Sequence, residues 1–452
     1  MAEFDAIELG RGVEGSVSLP LRFMTRHGLI TGATGSGKTV SLQLLAEQLS
    51  RAGVPVFLPD VKGDLIGIAN AGQLSDKVSE SLRRKGLQVP AWQACPTRLW
   101  SVGGAVNSSA LSARVQTVGP LLLARLLDLN DIQASVMQIA FRIAREQKRP
   151  LDTLADLRAL FGWLAHNRET LAANYGAFAE ATLSTIQRGL VVLEEQQASY
   201  FFSSSELSIA DLIQCEGTAG VVNLLDARSL LLQPSLYAVA FSSLLARLYE
   251  ELPEVGDLPQ PKLIIFIDEA HLLFEALGRS VQENLERAIR LIRSRGVGVF
   301  FVSQLPTDIP EKVLGQLGNR VQHVLRSFTP KDQKAVKVAA QTMRPNQGLD
   351  IESAIGLLAP GEALVSILDG SGTPTPTQKI WINMPGSQIG ASGAVNLLQP
   401  IARKTAAARD PVDSSNAPVA YSGDSKNEFD WRSNVIRGMA ITAAWLLRAG
   451  RT

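Results

Sequence analysis

Apolar residues fall into two rhythms along this chain. Short unbroken apolar runs, each closed by a turn or a polar residue, alternate with stretches where apolar residues recur every three or four positions. The first run is His27-Gly28-Leu29-Ile30-Thr31, and it leads into a glycine-rich turn. From Lys38 to about Arg51 the period is helical, with Leu42, Leu45, Ala46 and Leu49 on one face. Val54-Pro55-Val56-Phe57-Leu58-Pro59-Asp60 then reads as a short buried strand. Strand, turn, helix and strand at this spacing predict a βαβ unit and a parallel sheet.

From about Ala110 to Leu207 the strand signals vanish, as in the helical stretch Leu121-Leu122-Leu123-Ala124-Arg125-Leu126-Leu127. Strand-like runs resume near Gly220-Val221-Val222-Asn223-Leu224-Leu225, then at Leu263 to Ile267, Val297 to Ser303, Arg320 to Leu325 and Glu362 to Ile367. The predicted organisation is an α/β core in two parts, residues 1–109 and 211–385, interrupted by an all-α insertion at 110–210. Residues 386–430 are rich in Ser, Gly, Ala, Asn and Pro and predict a flexible linker. Residues 431–452, with Trp445, Leu446 and Leu447, predict one short C-terminal amphipathic helix.

Composition narrows the function. In 452 residues, 44 Lys and Arg balance 43 Asp and Glu, so coating nucleic acid through bulk charge is excluded while a local basic surface is not. The two cysteines, Cys95 and Cys215, have no CxxC partner, and the four His show no ligand spacing, which argues against a disulfide framework or a structural zinc. No signal peptide is legible at the N-terminus, and no apolar run reaches the roughly 18 residues of a membrane span. A cytoplasmic protein is expected.

Gly32-Ala33-Thr34-Gly35-Ser36-Gly37-Lys38-Thr39 fits GxxxxGK[ST] at every position. The apolar strand before it and the amphipathic helix after it are what the motif's mechanism requires. Glycines let the backbone wrap closely and aim N–H groups at phosphate oxygens, and the helix N-terminus adds partial positive charge. Lys38 is expected to reach the β- and γ-phosphates, and the Thr39 hydroxyl to ligate Mg²⁺.

Leu263-Ile264-Ile265-Phe266-Ile267-Asp268-Glu269 has Walker B form, an apolar strand ending in two carboxylates. Asp268 is the candidate Mg²⁺ group, and Glu269 the candidate base that polarises the attacking water. No Asn-Lys-x-Asp motif occurs, so ATP is expected rather than GTP. Gln304, at the end of the run from Val297 to Ser303, is a candidate γ-phosphate sensor or water-orienting group. Between these two strands, Glu283 and Glu286 can pair with Arg287 and Arg290 at i,i+4. Arg293 lacks such a partner, which leaves it or Arg295 as a candidate arginine finger for a neighbouring subunit. Arg26, just ahead of the phosphate loop, is a candidate nucleotide contact within the same subunit, and Arg320 and Arg326 are further candidates.

These three motifs, in this order, resemble the HerA/FtsK group of P-loop ATPases. Arg26-His27-Gly28-Leu29-Ile30-Thr31-Gly32-Ala33-Thr34-Gly35 and Asp60-Val61-Lys62-Gly63-Asp64-Leu65 are similar to the bacterial HerA-like proteins of the YjgR type. The likeness runs over about residues 5 to 385. It implies a RecA-like P-loop core with a mainly parallel sheet, ATP hydrolysis, a hexameric homo-oligomeric ring with sites between subunits, and translocation of duplex DNA. It also implies a cis arginine at Arg26 and a trans arginine at Arg293. Archetypal HerA proteins carry an N-terminal β-barrel, for which the roughly 30 residues before the phosphate loop are expected to be too few. Their DNA-end-resection role is therefore not carried over.

Support for DNA in the residues themselves is a helical stripe of Lys331, Lys334 and Lys337 and a cluster of Arg83, Arg84 and Lys85. Each reads either as a solvated surface or as a pore face. Two other readings stay open. One is an ATPase motor with a protein cargo, as in secretion pumps. The other is an ATP-dependent switch or scaffold acting on a protein partner through the helical insertion, against which Glu269 and Gln304 argue.

Overall fold

The protein is described by a computed structural model covering residues 5–105, 107–196, 198–391, 393 and 395–401. Its strands are β1 (Ala6–Gly12), β2 (Gly15–Pro20), β3 (Gly28–Thr31), β4 (Val56–Asp60), β5 (Thr97–Val102), β6 (Ser109–Leu111), β7 (Cys215–Glu216), β8 (Ala219–Gly220), β9 (Val222–Asp226), β10 (Leu263–Ile267), β11 (Val297–Ser303), β12 (Asn319–Gln322), β13 (Glu362–Ser366) and β14 (Gln378–Ile382). β7 and β8 form a small separate hairpin, and the other twelve make one sheet, in the order β2-β1-β14-β13-β12-β3-β11-β10-β4-β9-β5-β6.

From β12 to β6 every neighbouring pair is parallel. β13, β14, β1 and β2 continue the sheet antiparallel. The parallel centre is covered on both faces, which is why β4, β10 and β11 are buried along their whole length and read as continuous apolar runs.

Helix α1 (Lys38–Arg51) covers one face, where Leu42, Leu45 and Leu49 join a core with Val56, Phe266 and Phe300. α2 (Asp76–Lys85) follows. On the other face Phe57 meets Phe241 edge-on at 6.0 Å, and Phe301 meets Phe274 at 5.6 Å.

The described residues divide into two compact units, one within 5–111 and 207–401 and one within 112–206. The second unit is helical, with α3 (Val115–Leu126), α4 (Asp131–Glu146), α5 (Leu154–His166), α6 (Arg168–Tyr175), α7 (Glu180–Glu194) and α8 (Ala198–Phe201). Asn130 and Thr153 cap α4 and α5 with reciprocal side-chain and backbone bonds. Leu123, Met137, Ile143, Phe161, Ile186 and Leu190 are buried within it. The first unit resumes with α9 (Ile209–Leu212), α10 (Pro234–Glu251), α11 (His271–Glu275), α12 (Arg279–Ile292), α13 (Glu311–Leu314), α14 (Pro330–Gln341) and α15 (Ile351–Leu357).

The composition after Pro385 predicts a loose linker, but its first part is strapped to the core. The Glu47 carboxylate, only 1% exposed, accepts the backbone N–H of Gly386 (3.0 Å) and of Ser387 (2.8 Å) and the Ser387 hydroxyl (2.7 Å). Arg51 closes the cluster with an ion pair to Glu47 at 2.7 Å. Further along, the N–H of Leu398 bonds the carbonyl of Thr97 at 2.8 Å. A buried carboxylate with four donors fixes a backbone that its composition alone leaves free. The remainder of the expected linker and the expected helix at 431–452 lie outside the described residues.

Replacing Glu47 with Ala strands Arg51 and two backbone donors. The expected cost is about 3 kcal/mol of stability, read as a lower melting temperature together with faster proteolysis within residues 386–401. A variant that melts and cleaves like the parent would contradict the strap.

Candidate active site

Register sets the site. β11 lies between β3 and β10, with Ser303 opposite Thr31 and Phe301 opposite Ile267. β4 flanks β10, with Val56 opposite Ile264. All four strands run the same way, so the residues that leave them, Gly32, Gln304, Asp268 and Lys62, emerge along one edge of the sheet. In open parallel sheets that edge is where ligands bind.

The phosphate loop is wound tightly against its surroundings. Gly32 has φ +154°, and a Cβ there would sit 2.5 Å from the His323 Cβ. Gly37 caps α1 in the left-handed region, at φ +111°. The Lys38 ammonium donates to the carbonyls of Gly32 (2.5 Å) and Ala33 (3.1 Å), so it occupies the mouth of the loop. Ala33 N–H bonds the Val324 carbonyl at 2.8 Å, and Gly361 N–H bonds the Ser36 carbonyl at 3.2 Å. The His323 ring bridges the Ser41 hydroxyl and the Glu362 carbonyl, each at 2.9 Å. Burial pushes its pKa down to about 4, so it stays neutral beside Lys38.

The two carboxylates have different surroundings. Asp268 accepts the N–H of Glu269 at 2.9 Å, and the buried Tyr237 hydroxyl donates to the Asp268 carbonyl at 2.7 Å. Burial and then the Glu269 charge push the Asp268 pKa up to about 7, with Lys62 and Lys38 opposing. Glu269 itself has φ +47°, a left-handed conformation that costs a non-glycine residue energy and recurs at functional sites. Its carboxylate lies 3.1 Å from the Lys62 ammonium and 3.6 Å from His271 Nδ1.

The donor set fits phosphate with Mg²⁺. Ser36 Oγ and Glu269 Oε2 are buried polar atoms with no hydrogen-bond partner. Asp268 is a desolvated carboxylate whose charged form a cation would stabilise. Thr39 stands in the first turn of α1, next to Lys38.

Lys62 is the site residue that motif reading misses. The Asp60 carboxylate accepts the N–H groups of Gly63 (2.6 Å), Asp64 (3.2 Å) and Leu65 (3.1 Å), folding the chain into a turn that carries Lys62. Burial lowers the Lys62 pKa, but the Glu269 bond and the nearby carboxylate charges outweigh it and the net shift is upward. The signal in the sequence was its place two residues beyond a buried strand, but its value depends on which strand lies alongside.

Gln304 is exposed one residue past the Ser303–Thr31 pair, on the same edge. The arginines are elsewhere. Arg26 precedes β3 and Gly32 follows it, so four strand residues put roughly 13 Å between their ends. Arg26 instead shares an electrostatic neighbourhood with Arg293 and Asp257. Arg293 precedes β11, and although Ile289 gives it no partner at i,i+4, it pairs with Asp257 at 2.9 Å. Both therefore sit at the opposite ends of the strands from their own phosphate loop. Arg295 stacks over Tyr249 at 4.9 Å, and Arg320, with its pKa pushed down to about 10 by burial, donates to the Leu314 carbonyl at 2.7 Å. Glu286, expected to pair with Arg290, lies 3.8 Å from Lys312.

The sequence model of the family described as Helicase HerA-like C-terminal matches residues 8–419. The chain is 23% identical over 388 residues to Probable helicase MJECL08 of Methanocaldococcus jannaschii, covering 82% of this chain and 69% of that protein. It is 22% identical over 374 residues to DNA double-strand break repair helicase HerA of Sulfurisphaera tokodaii, covering 79% and 66%. It thus spans about two thirds of the length of these curated relatives. Among solved structures, the bacterial conjugative coupling protein TrwBdeltaN70 matches with a TM-score of 0.54 at 16% identity, covering 86% of this chain and 92% of that one. VirB4 of Thermoanaerobacter pseudethanolicus matches at 0.53 and 14%, covering 85% and 98%. At these identities the two structures establish the fold, an α/β RecA-like P-loop core with a mainly parallel sheet.

Gly32→Ala puts a methyl group into His323 and forces the loop off its path. It is expected to weaken binding of a fluorescent ATP analogue at least tenfold in an equilibrium titration, with unchanged far-ultraviolet circular dichroism. Undiminished binding would remove the loop's curvature from the account.

Proposed function

Because the chain belongs to the HerA-like helicase C-terminal family, we propose that it is a Mg²⁺-dependent ATP hydrolase working as an oligomeric motor on duplex DNA. The observation that carries this reading is the convergence of Lys38, Asp268, Glu269 and Gln304 on one edge of four parallel strands.

The roles follow from position. Backbone N–H groups of the loop from Gly32 to Thr39, apart from those of Ala33 and Ser36 that bond carbonyls of the fold, cradle the phosphates with the α1 N-terminus, and Lys38 turns from the loop carbonyls to the β- and γ-phosphates. Thr39 and Asp268 hold Mg²⁺, which neutralises phosphate charge when bound. Glu269 accepts the proton of the attacking water, and Gln304 orients that water. Arg293, remote from its own loop, reaches the γ-phosphate of an adjacent subunit, and the ring is a hexamer. Arg26 shares its neighbourhood and acts with it.

For cargo, the relatives' names carry helicase and DNA repair, and the surface offers a place for a polyanion. Lys331, Lys334 and Lys337 are exposed on α14, with exposed Arg326 and Phe328 at its head. Arg83 and Arg84 are also exposed, while Lys85 lies over the Trp381 ring at 4.9 Å. A protein cargo is the second reading, favoured by a net charge of only +1. No described helix is long and apolar enough to cross a membrane.

Steady-state hydrolysis by the purified protein should rise with linear duplex DNA, and Glu269→Gln should keep ATP bound while turnover falls at least about 100-fold. Hydrolysis that ignores DNA would move the cargo to protein, and turnover surviving in Glu269→Gln would remove Glu269 as the base. Arg293→Ala should lower turnover by about 10³ in assembled oligomers with ATP affinity largely kept. An equal fall in a preparation that light scattering proves monomeric would contradict action between subunits.

A further inference from the structure

Lys62 belongs to none of the three motifs, yet its ammonium lies 3.1 Å from the carboxylate proposed as the base. A carboxylate oxygen that accepts from an ammonium at this distance is occupied and is not open to an incoming water. The pairing is therefore poorly suited to the moment of hydrolysis and well suited to an idle site.

Both partners are held in place. The Asp60 turn sets Lys62, and the left-handed backbone at Glu269 aims its side chain. They differ in freedom. The Glu269 side chain is 11% exposed and the Lys62 side chain 45%, so the lysine is the partner able to move. It is also close enough to Lys38 for the two ammonium groups to act on each other. A γ-phosphate at Lys38 therefore arrives within the electrostatic reach of Lys62 with more negative charge than one carboxylate carries. ADP brings no such group. A ligand that interacts differently with two arrangements shifts the balance between them.

We infer that Lys62 is a γ-phosphate-responsive latch. It pairs with Glu269 when the site is empty or holds ADP, and transfers to the γ-phosphate when ATP is bound, freeing Glu269 to take the water's proton. Lys62 is thus a positioning residue for Glu269 and a binding residue that separates ATP from ADP. The inference rests on the reading of this site as an ATP hydrolase.

The test is equilibrium binding of a non-hydrolysable imido analogue of ATP and of ADP, each with Mg²⁺, to the full chain and its variants. Lys62→Ala should lose about fivefold or more of the preference for the analogue over ADP, with ADP affinity unchanged and Lys62→Arg restoring most of it. Glu269→Gln, which unpairs the lysine, should tighten analogue binding severalfold, and that gain should vanish in the double variant Lys62→Ala with Glu269→Gln. Lys62→Gln serves in the same cycle if the alanine variant melts early. An unchanged analogue-to-ADP ratio, or a gain that persists in the double variant, would overturn the latch. Loss of all nucleotide binding in the parent would instead overturn the hydrolase reading beneath it.

Discussion

Parallel hydrogen bonding of β11 between β3 and β10, with β4 beyond, is the constraint on which the rest of the molecule depends. It gathers four loop starts that are distant in sequence onto one edge. Lys38, Gln304, the Asp268–Glu269 pair and Lys62 become neighbours because their strands end together. The same alignment sends the residues that precede those strands to the opposite edge. Arg26 and Arg293 are carried there with Asp257. A subunit built this way holds its phosphate-binding groups and its candidate finger on different sides, an arrangement suited to sites shared between subunits.

The sequence made the centre of the fold legible and its margins opaque, for a physical reason. β3, β10 and β11 are buried on both faces and so stand out as unbroken apolar runs. β1 and β2 bury few side chains, chiefly Ile7, Leu9 and Leu19, and β1 carries exposed Glu8 and Arg11 among them. Strands so short and so mixed resemble loops. β5, β6 and β14 likewise mix polar with apolar residues over a few positions.

Within the site, the motif residues were legible because local chemistry fixes their spacing. Lys62 was not, because its importance comes from β4 lying beside β10. Arg26 is near the loop in sequence but not within its own subunit's fold, since an extended strand turns a few residues into a long separation. The Arg293 pair is invisible to i,i+4 reasoning because Asp257 lies outside its helix. Glu47 sits within the apolar pattern of α1 with partners about 340 positions away, so the composition after Pro385 suggested looseness where the fold supplies a strap.

Charge balance links these observations to turnover. Two ammonium groups, Lys38 and Lys62, face two carboxylates, Asp268 and Glu269, with Lys38 and Glu269 buried and Lys62 half-exposed. Lys38 donates to loop carbonyls and Lys62 pairs with Glu269. In the proposed latch, phosphate draws on both, which ties binding to the release of the base. In the proposed oligomer, Arg293 of a neighbouring subunit adds a further cation at the γ-phosphate. Subunit mixing tests this most directly. Lys38→Ala and Arg293→Ala proteins, each almost inactive alone, should regain hydrolysis when co-assembled, because some interfaces then pair an intact loop with an intact arginine. Mixed oligomers that form and stay inactive would contradict the account.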